Sequence, residues 1–249
     1  MKNNLYGVNG LRFWTEHQLH IREMFKKHIQ FRIREELMAL NPAWRFVEVE
    51  APLLTPRSHI NQNYTDEDIW VQENKEDLQN ELVLRPETTP GSYLAASSLM
   101  SENNFKPPFV VSQFGKSFRR EQLHSSKHCR FKEFWQYEFQ CLYASDTKND
   151  YHSAILEPIR QIIAEMISLP TRIVESDRLP DYSDITIDVE VDNGDKWMEV
   201  CSISRRKDFP HPVYFQTKKG VVERNIFVLE ISIGMDRCVY NYEVAQATK

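Results

Sequence analysis

Residues 129–143, CRFKEFWQYEFQCLY, alternate two kinds of side chain for longer than an irregular loop would sustain. Successive strand residues point to opposite faces, so Phe131, Trp135, Tyr137, Phe139, Cys141 and Tyr143 share one face. Arg130, Lys132, Phe134, Gln136 and Glu138 share the other. A chain carrying this stretch must build a sheet with a long apolar face to bury. The upstream run PFVVSQFGKSFRRE reads as one or two strands and, across a short polar loop, as the hairpin partner, with Arg119 and Glu121 on one face. The polar ladder has two readings. It faces water, as one side of an antiparallel sheet commonly does. Alternatively it floors a polar site, and Phe134 favours this, because a wet face has no need of an aromatic whereas a flat base can stack on one.

The rest of the chain supplies helices and further strands. Ile21, Phe25, Ile29, Ile33 and Leu37 recur every four residues and predict a helix over 15–40, stopped by Asn41-Pro42. RFVEVEAPLLTP predicts a strand from Phe46 to Glu50, closed by Pro52. A second helix opens at ETTPGSY, with the threonines as cap candidates and Pro90 in the first turn. A third covers roughly 155–168, with Pro158 marking its start. DITIDVEV, KWMEVCSIS and NIFVLEIS read as strands, and a short helix follows Gly234. No regular βαβ alternation is present, and neither is a GxGxxG or GxxxxGK[ST] phosphate loop, so the pattern is α+β with an antiparallel sheet.

NIFVLEIS repeats the polar-ladder pattern, with Glu230 and Ser232 opposite Leu229 and Ile231. Arg237 then falls in the first turn of the last helix, where backbone N–H groups favour anions. Arg119, Arg130 and Arg237 around one sheet face would suit a polyphosphate, and neighbouring carboxylates a divalent metal or an ammonium group.

The net charge of −5 gives no global attraction to nucleic acid, so RNA contact would need a local basic patch. Cys129, Cys141, Cys201 and Cys238 form no CxxC pair and read as reduced thiols of a cytoplasmic protein, with Cys201 and Cys238 as small buried hydrophobes. No apolar run reaches membrane-spanning or signal-peptide length. His124, His128 and Cys129 cluster in the hairpin loop, but a fourth zinc ligand at standard spacing is missing.

FRRE (118–121) followed by RFKEFWQYE (130–138) resembles motif 2 of the class II aminoacyl-tRNA synthetases. GMDR (234–237) resembles the core of motif 3, and RFVEVEAP (45–52) motif 1, which lies at the dimer interface in that family. Among its members the dimeric type of glycyl-tRNA synthetase is the most similar: LRPETTPG (84–91), FGKSFRRE, DYSDITIDVEV with WMEVCSISRR, and LEISIGMDR each resemble a segment of it. The resemblance implies a class II synthetase-like antiparallel β-sheet flanked by helices. It also implies a single catalytic-core-like domain over 1–249, with motif 1 at about 45–54, motif 2 at about 114–143, motif 3 at about 226–247 and no anticodon-binding domain.

Carried over by position, the resemblance assigns Arg119 to the α-phosphate of ATP, Phe134 and Glu121 to adenine, and Arg130 and Arg237 to the outer phosphates. It makes Arg119 and Arg237 the catalytic pair. Glu199 and Glu230 would hold Mg²⁺, while Glu87, Glu138 and Ser232 would enclose an amino-acid ammonium and Arg206 would face its carboxylate. Four positions depart from the pattern: Arg45, Arg120, Arg205 and Ile231 replace a glycine, an asparagine, an aspartate and a proline. The implied activity is ATP-dependent activation of an amino acid, glycine above others, by a homodimer, with a tRNA as acceptor. The alternatives are ligation to a carrier protein or another protein, or a non-catalytic paralogue that regulates or binds nucleic acid.

Overall fold

The computed structural model describes residues 10–71, 81–102, 105–121, 129–145, 147–177, 179–210, 213–217 and 220–247. Helix α1 spans Glu16–Leu40 and begins with a capping box, in which Thr15 Oγ1 accepts from the Gln18 N–H at 3.3 Å and Gln18 Oε1 accepts from the Thr15 N–H at 3.1 Å. Strands β1 (Arg45–Glu48) and β2 (Leu54–Pro56) follow, then β3 (Trp70–Val71) and β4 (Leu82–Leu84). Helix α2 covers Thr89–Glu102, and the hairpin predicted from the sequence forms β5 (Phe109–Phe118) and β6 (Glu133–Ala144). Next come α3 (Tyr151–Ile167), β7 (Thr171–Glu175), β8 (Ser183–Asp192), β9 (Trp197–Arg206), the hairpin β10–β11 (Val213–Thr217, Gly220–Arg224), β12 (Ile226–Gly234) and α4 (Met235–Ala247).

Seven strands form one sheet in the order β1-β5-β6-β12-β9-β8-β7. Every neighbouring pair is antiparallel except β1–β5, which is parallel, so the expected antiparallel sheet carries one parallel edge. One face is apolar over its central strands. Tyr137, Phe139, Cys141, Val189, Cys201, Ile203, Leu229 and Ile231 pack there against the buried stripes of α1 and α3 and the start of α4. The other face is divided. At one end Phe109, Val111, Leu142 and Val228 pack under Tyr93, Ala96 and Met100 of α2. At the other end the sheet presents polar side chains.

Three boundaries differ from the sequence reading. Helix α3 starts at Tyr151 rather than near Pro158, because Asp150 caps it through the Ser153 N–H, and Pro158 lies inside the helix. Strand β5 ends at Phe118, so Arg119 and Glu121 sit beyond it, although the Arg119 N–H still pairs with the Lys132 carbonyl. The strand expected to reach Glu50 closes at Glu48, and a small sheet of order β2-β4-β3 forms beside it.

Candidate active site

The inner part of the polar ladder is not wet, although Arg130 at its outer end is exposed. Gln136, Glu138 and Gln140 are all buried, and Glu138 retains only 2% of its surface. Cross-strand register aligns them with the other strands: Gln113, Glu138, Ser232 and Ser202 form one row, and Gln140, Glu230 and Ser204 the next. A roof over these rows comes from the segment leading into α2. Arg85 fixes it by donating to the carbonyls of Ala51 at 2.7 Å and Lys116 at 2.9 Å. Gly115 permits this approach, since a Cβ there would sit 2.3 Å from the Arg85 guanidinium. Arg85 thereby places Glu87, Thr88 and Thr89 over the sheet.

The threonines expected as helix caps instead turn their hydroxyls onto the carboxylates. Thr88 and Thr89 both donate to Glu138 Oε2, and Ser232 donates to Oε1 at 3.1 Å. Glu138 has no salt bridge among the described residues. Burial, with Glu230 and Glu87 nearby, pushes its carboxyl up to about 7. Burial also raises Glu87, which accepts from the Tyr64 hydroxyl at 3.0 Å. That hydroxyl accepts in turn from Arg119 Nη2 at 3.0 Å, while Arg119 Nε donates to the Pro86 carbonyl. Tyr64 therefore joins Glu87 to Arg119.

Glu230 and Arg206 form a buried pair, 2.6 Å apart, and Gln140 donates to the same Glu230 oxygen at 2.7 Å. Arg206 also spans Asp208 through Nε and Nη2, and its guanidinium lies 3.8 Å from the centre of the Tyr182 ring. Burial works to lower the Arg206 pKa, but Glu230, Tyr93 and Asp208 outweigh it and the net displacement is upward. All three of its nitrogens are engaged by protein acceptors. Arg206 thus sits inside the carboxylate cluster, with no free fork for a ligand carboxylate. A cavity of roughly 520 Å³ lies against this cluster, lined by Asn61, Glu87, Thr89, Tyr93, Tyr182 and Arg206 among others.

A second pocket, of roughly 90 Å³, gathers Arg119, Glu121, Arg130, Phe134, Glu199 and Arg237, together with Ser232 of the first cluster. The Arg119 guanidinium lies 5.1 Å from the Phe134 ring centre, Arg130 is 3.8 Å from Glu121, and Arg237 is 3.1 Å from Glu199. Simple alternation along β9 would point Glu199 with Cys201 and Ile203 into the apolar core. A β-bulge prevents this. Val189 pairs with Cys201 but Glu190 with Glu199, leaving Val200 as an extra residue. Val200 and Cys201 both enter the core, and Glu199 emerges beside Ser202 and Arg237.

The structure thus brings Glu87, Glu138, Ser232, Arg206 and Glu230 into one cluster and the remaining predicted residues into the adjoining pocket. It does not bring Glu199 and Glu230 together. Glu230 is held at depth by Arg206 and Gln140, whereas Glu199 stands at the outer rim beside Arg237. Among the described residues no group of three His, Cys, Asp or Glu could hold a metal. His124 and His128 lie outside the described residues, and Cys129 is buried with its thiol pushed up to about 12 by burial. Sequence reasoning missed Tyr64, Gln140 and Asp208; Gln140 continues the polar alternation of Gln136 and Glu138, Asp208 lies two residues beyond a strand-end arginine, and Tyr64 had no local signal.

Residues 69–242 match the tRNA synthetase class II core domain (G, H, P, S and T). A glycine–tRNA ligase of Mycoplasma capricolum is 31% identical over 176 residues, covering 65% of this chain and 39% of that protein. The corresponding ligase of Mycoplasmopsis synoviae is 27% identical over 175 residues, with the same coverage. The chain spans about two fifths of the length of these curated relatives. The fold matches that of a Cryptosporidium parvum prolyl-tRNA synthetase complexed with halofuginone and AMPPNP, with a TM-score of 0.72, 14% identity, and coverage of 96% of this chain and 48% of that one. The match to the family covers well over half of the chain, and the protein belongs to the class II tRNA synthetase core-domain family.

Proposed function

We propose that the site activates an amino acid, glycine, by joining it to ATP as an aminoacyl-adenylate for transfer to tRNA. The observation that carries this reading is Glu138: a buried carboxylate with three hydroxyl donors and no salt bridge among the described residues. With Glu87 and Glu230 beside it, it leaves an excess of negative charge that an ammonium group would neutralise. The adjoining pocket supplies the complementary half, with Arg119, Arg130 and Arg237 for phosphates and Phe134 for a base.

In the proposed step a carboxylate oxygen of the amino acid forms a bond to the α-phosphorus of ATP. The bond from that phosphorus to the bridging oxygen breaks, and pyrophosphate leaves with the electron pair. No general base is required, because the nucleophile is already an anion. Arg119, anchored by Tyr64 and Pro86, would stabilise charge on the α-phosphate, and orientation by the two half-sites would supply much of the rest. Mg²⁺ enters this reading only as the counter-ion that ATP brings. The edge strand β1 and the motif 1 region around it are the proposed homodimer contact.

The test is amino-acid-dependent ATP–pyrophosphate exchange with each of the twenty amino acids. Exchange with glycine is expected, and no exchange with any of them would overturn the reading. Arg237→Ala should abolish exchange while changing stability by no more than about 1 kcal/mol, since its ion pair with Glu199 is part-exposed. Denaturant unfolding of the same preparation checks the second half.

A further inference from the structure

The residues just before α1 carry a feature that the proposed chemistry does not use. Gly10 accepts from the Lys132 N–H at 2.7 Å, so this segment runs beside the entrance to β6. Arg12 is buried and its Nη1 donates to both the main-chain carbonyl of Asp236, at 3.1 Å, and the Asp236 carboxylate, at 3.2 Å. The Arg12 guanidinium lies 4.0 Å from the Trp14 ring centre and 5.8 Å from that of Phe131. Arg22 of α1 spans the neighbouring rings, 5.1 Å from Trp14 and 4.1 Å from Trp135.

Asp236 is the pivot. Its other carboxylate oxygen accepts from the Trp135 main-chain N–H at 2.6 Å. Strand β12 ends at Gly234, paired with Gln136, so the Asp236 side chain extends the cross-strand contact one residue past the end of the ladder. The contact joins the immediate neighbours of Phe134 and Arg237. Base platform and phosphate cation belong to different elements, and this carboxylate fixes their spacing. A carboxylate so deeply buried needs a cation to remain a good acceptor, and Arg12 is that cation.

We propose that Arg12 is a positioning residue for the nucleotide half of the site: by holding Asp236 against the Trp135 main chain, it sets the separation of Phe134 and Arg237. The inference rests on the proposed ATP reaction. It also makes a distinction that reaction alone does not, because Arg12 serves the nucleotide half and leaves the Glu87–Glu138 half untouched.

The experiment compares the full chain with Arg12→Met and Arg12→Lys. It measures KM for ATP and for glycine in pyrophosphate exchange, and AMPPNP binding by equilibrium titration. Arg12→Met should raise KM for ATP and weaken AMPPNP binding by about 10-fold, the scale of one lost hydrogen bond to a charged group, with KM for glycine unchanged. Arg12→Lys should recover part of that loss. Equal changes in both KM values, or a fall in thermal stability with KM for ATP unchanged, would overturn the proposal and leave Arg12 a structural residue. If the unsubstituted protein binds AMPPNP but shows no exchange, the activation reading fails while the binding comparison still decides the role of Arg12. Absence of AMPPNP binding by the unsubstituted protein would overturn both.

Discussion

The two faces of the seven-stranded sheet are built from alternate residues of the same strands, yet they are held by different physics. On the helix-covered face, Tyr137, Phe139, Ile203, Leu229 and Ile231 are buried by apolar neighbours, and stability grows with the area removed from water. On the opposite face, Glu138, Glu230 and Arg206 are equally buried but polar, and they persist through a network of hydroxyls, amides and one guanidinium. The first face tolerates conservative repacking. The second holds charges that solvation would favour releasing, and that imbalance is the means of binding a charged ligand.

The largest expected effect comes from removing the cation that balances the second face. Arg206→Met should destabilise the protein by about 3–5 kcal/mol at neutral pH, because Glu230 and Asp208 are left without their partner. The loss should shrink in acid as Glu87 and Glu138, both raised by burial and both facing Arg206, take up protons, which urea unfolding across pH would show. Ile203→Ala, on the same strand but the other face, should cost about 2–5 kcal/mol through a cavity. Its loss should be the same at pH 5 and pH 8. If the two variants share one pH profile, the contrast between the faces fails.

Tyr64→Phe tests whether the two halves of the polar face are joined. It deletes the hydroxyl that bonds Glu87 and Arg119, and kcat/KM for exchange should fall by the equivalent of about 1.5–3 kcal/mol while the fold is retained. The smallest effect is a slope. The folded-state pKa of Glu138 is raised to about 7, so its contribution to stability is full below the ordinary carboxylate range and is lost as pH rises through 7. That loss is at most about 1.4 kcal/mol per pH unit. An ammonium ligand should show the reverse trend, binding more tightly as Glu138 ionises. Glu138→Gln should flatten the stability slope between pH 5 and pH 7, and an unchanged slope would remove Glu138 from this role.

Much of this site was legible in the chain because it lies on strands. Alternation placed Gln136 and Glu138 on one face of β6 and Glu230 and Ser232 on one face of β12, and register then made them neighbours. Glu199 was legible only through resemblance, because the bulge at Val200 breaks the alternation that would have sent it into the core. Tyr64 was not legible at all. It comes from a loop whose path depends on contacts such as that between Arg57 and the Tyr64 carbonyl. Helix α3 began early for a related reason: the Asp150 cap and the buried stripe of Ile155, Ile159 and Ile162 hold it in spite of the hydrogen bond that an interior proline removes.

The sequence by itself determined the periodicity: six of the seven strands of the main sheet, which of their faces is apolar, and the order of the three motifs. The tertiary structure alone decided what covers the other face. Alternation specifies a direction for each side chain but not its surroundings, and the same Glu138 would be an ordinary wet carboxylate without Thr88 and Thr89 above it. It likewise decided that Arg206 answers Glu230 and Asp208, and that Arg12 reaches Asp236 across 224 residues of chain. Such partnerships depend on where distant segments meet, which no local pattern of residues encodes.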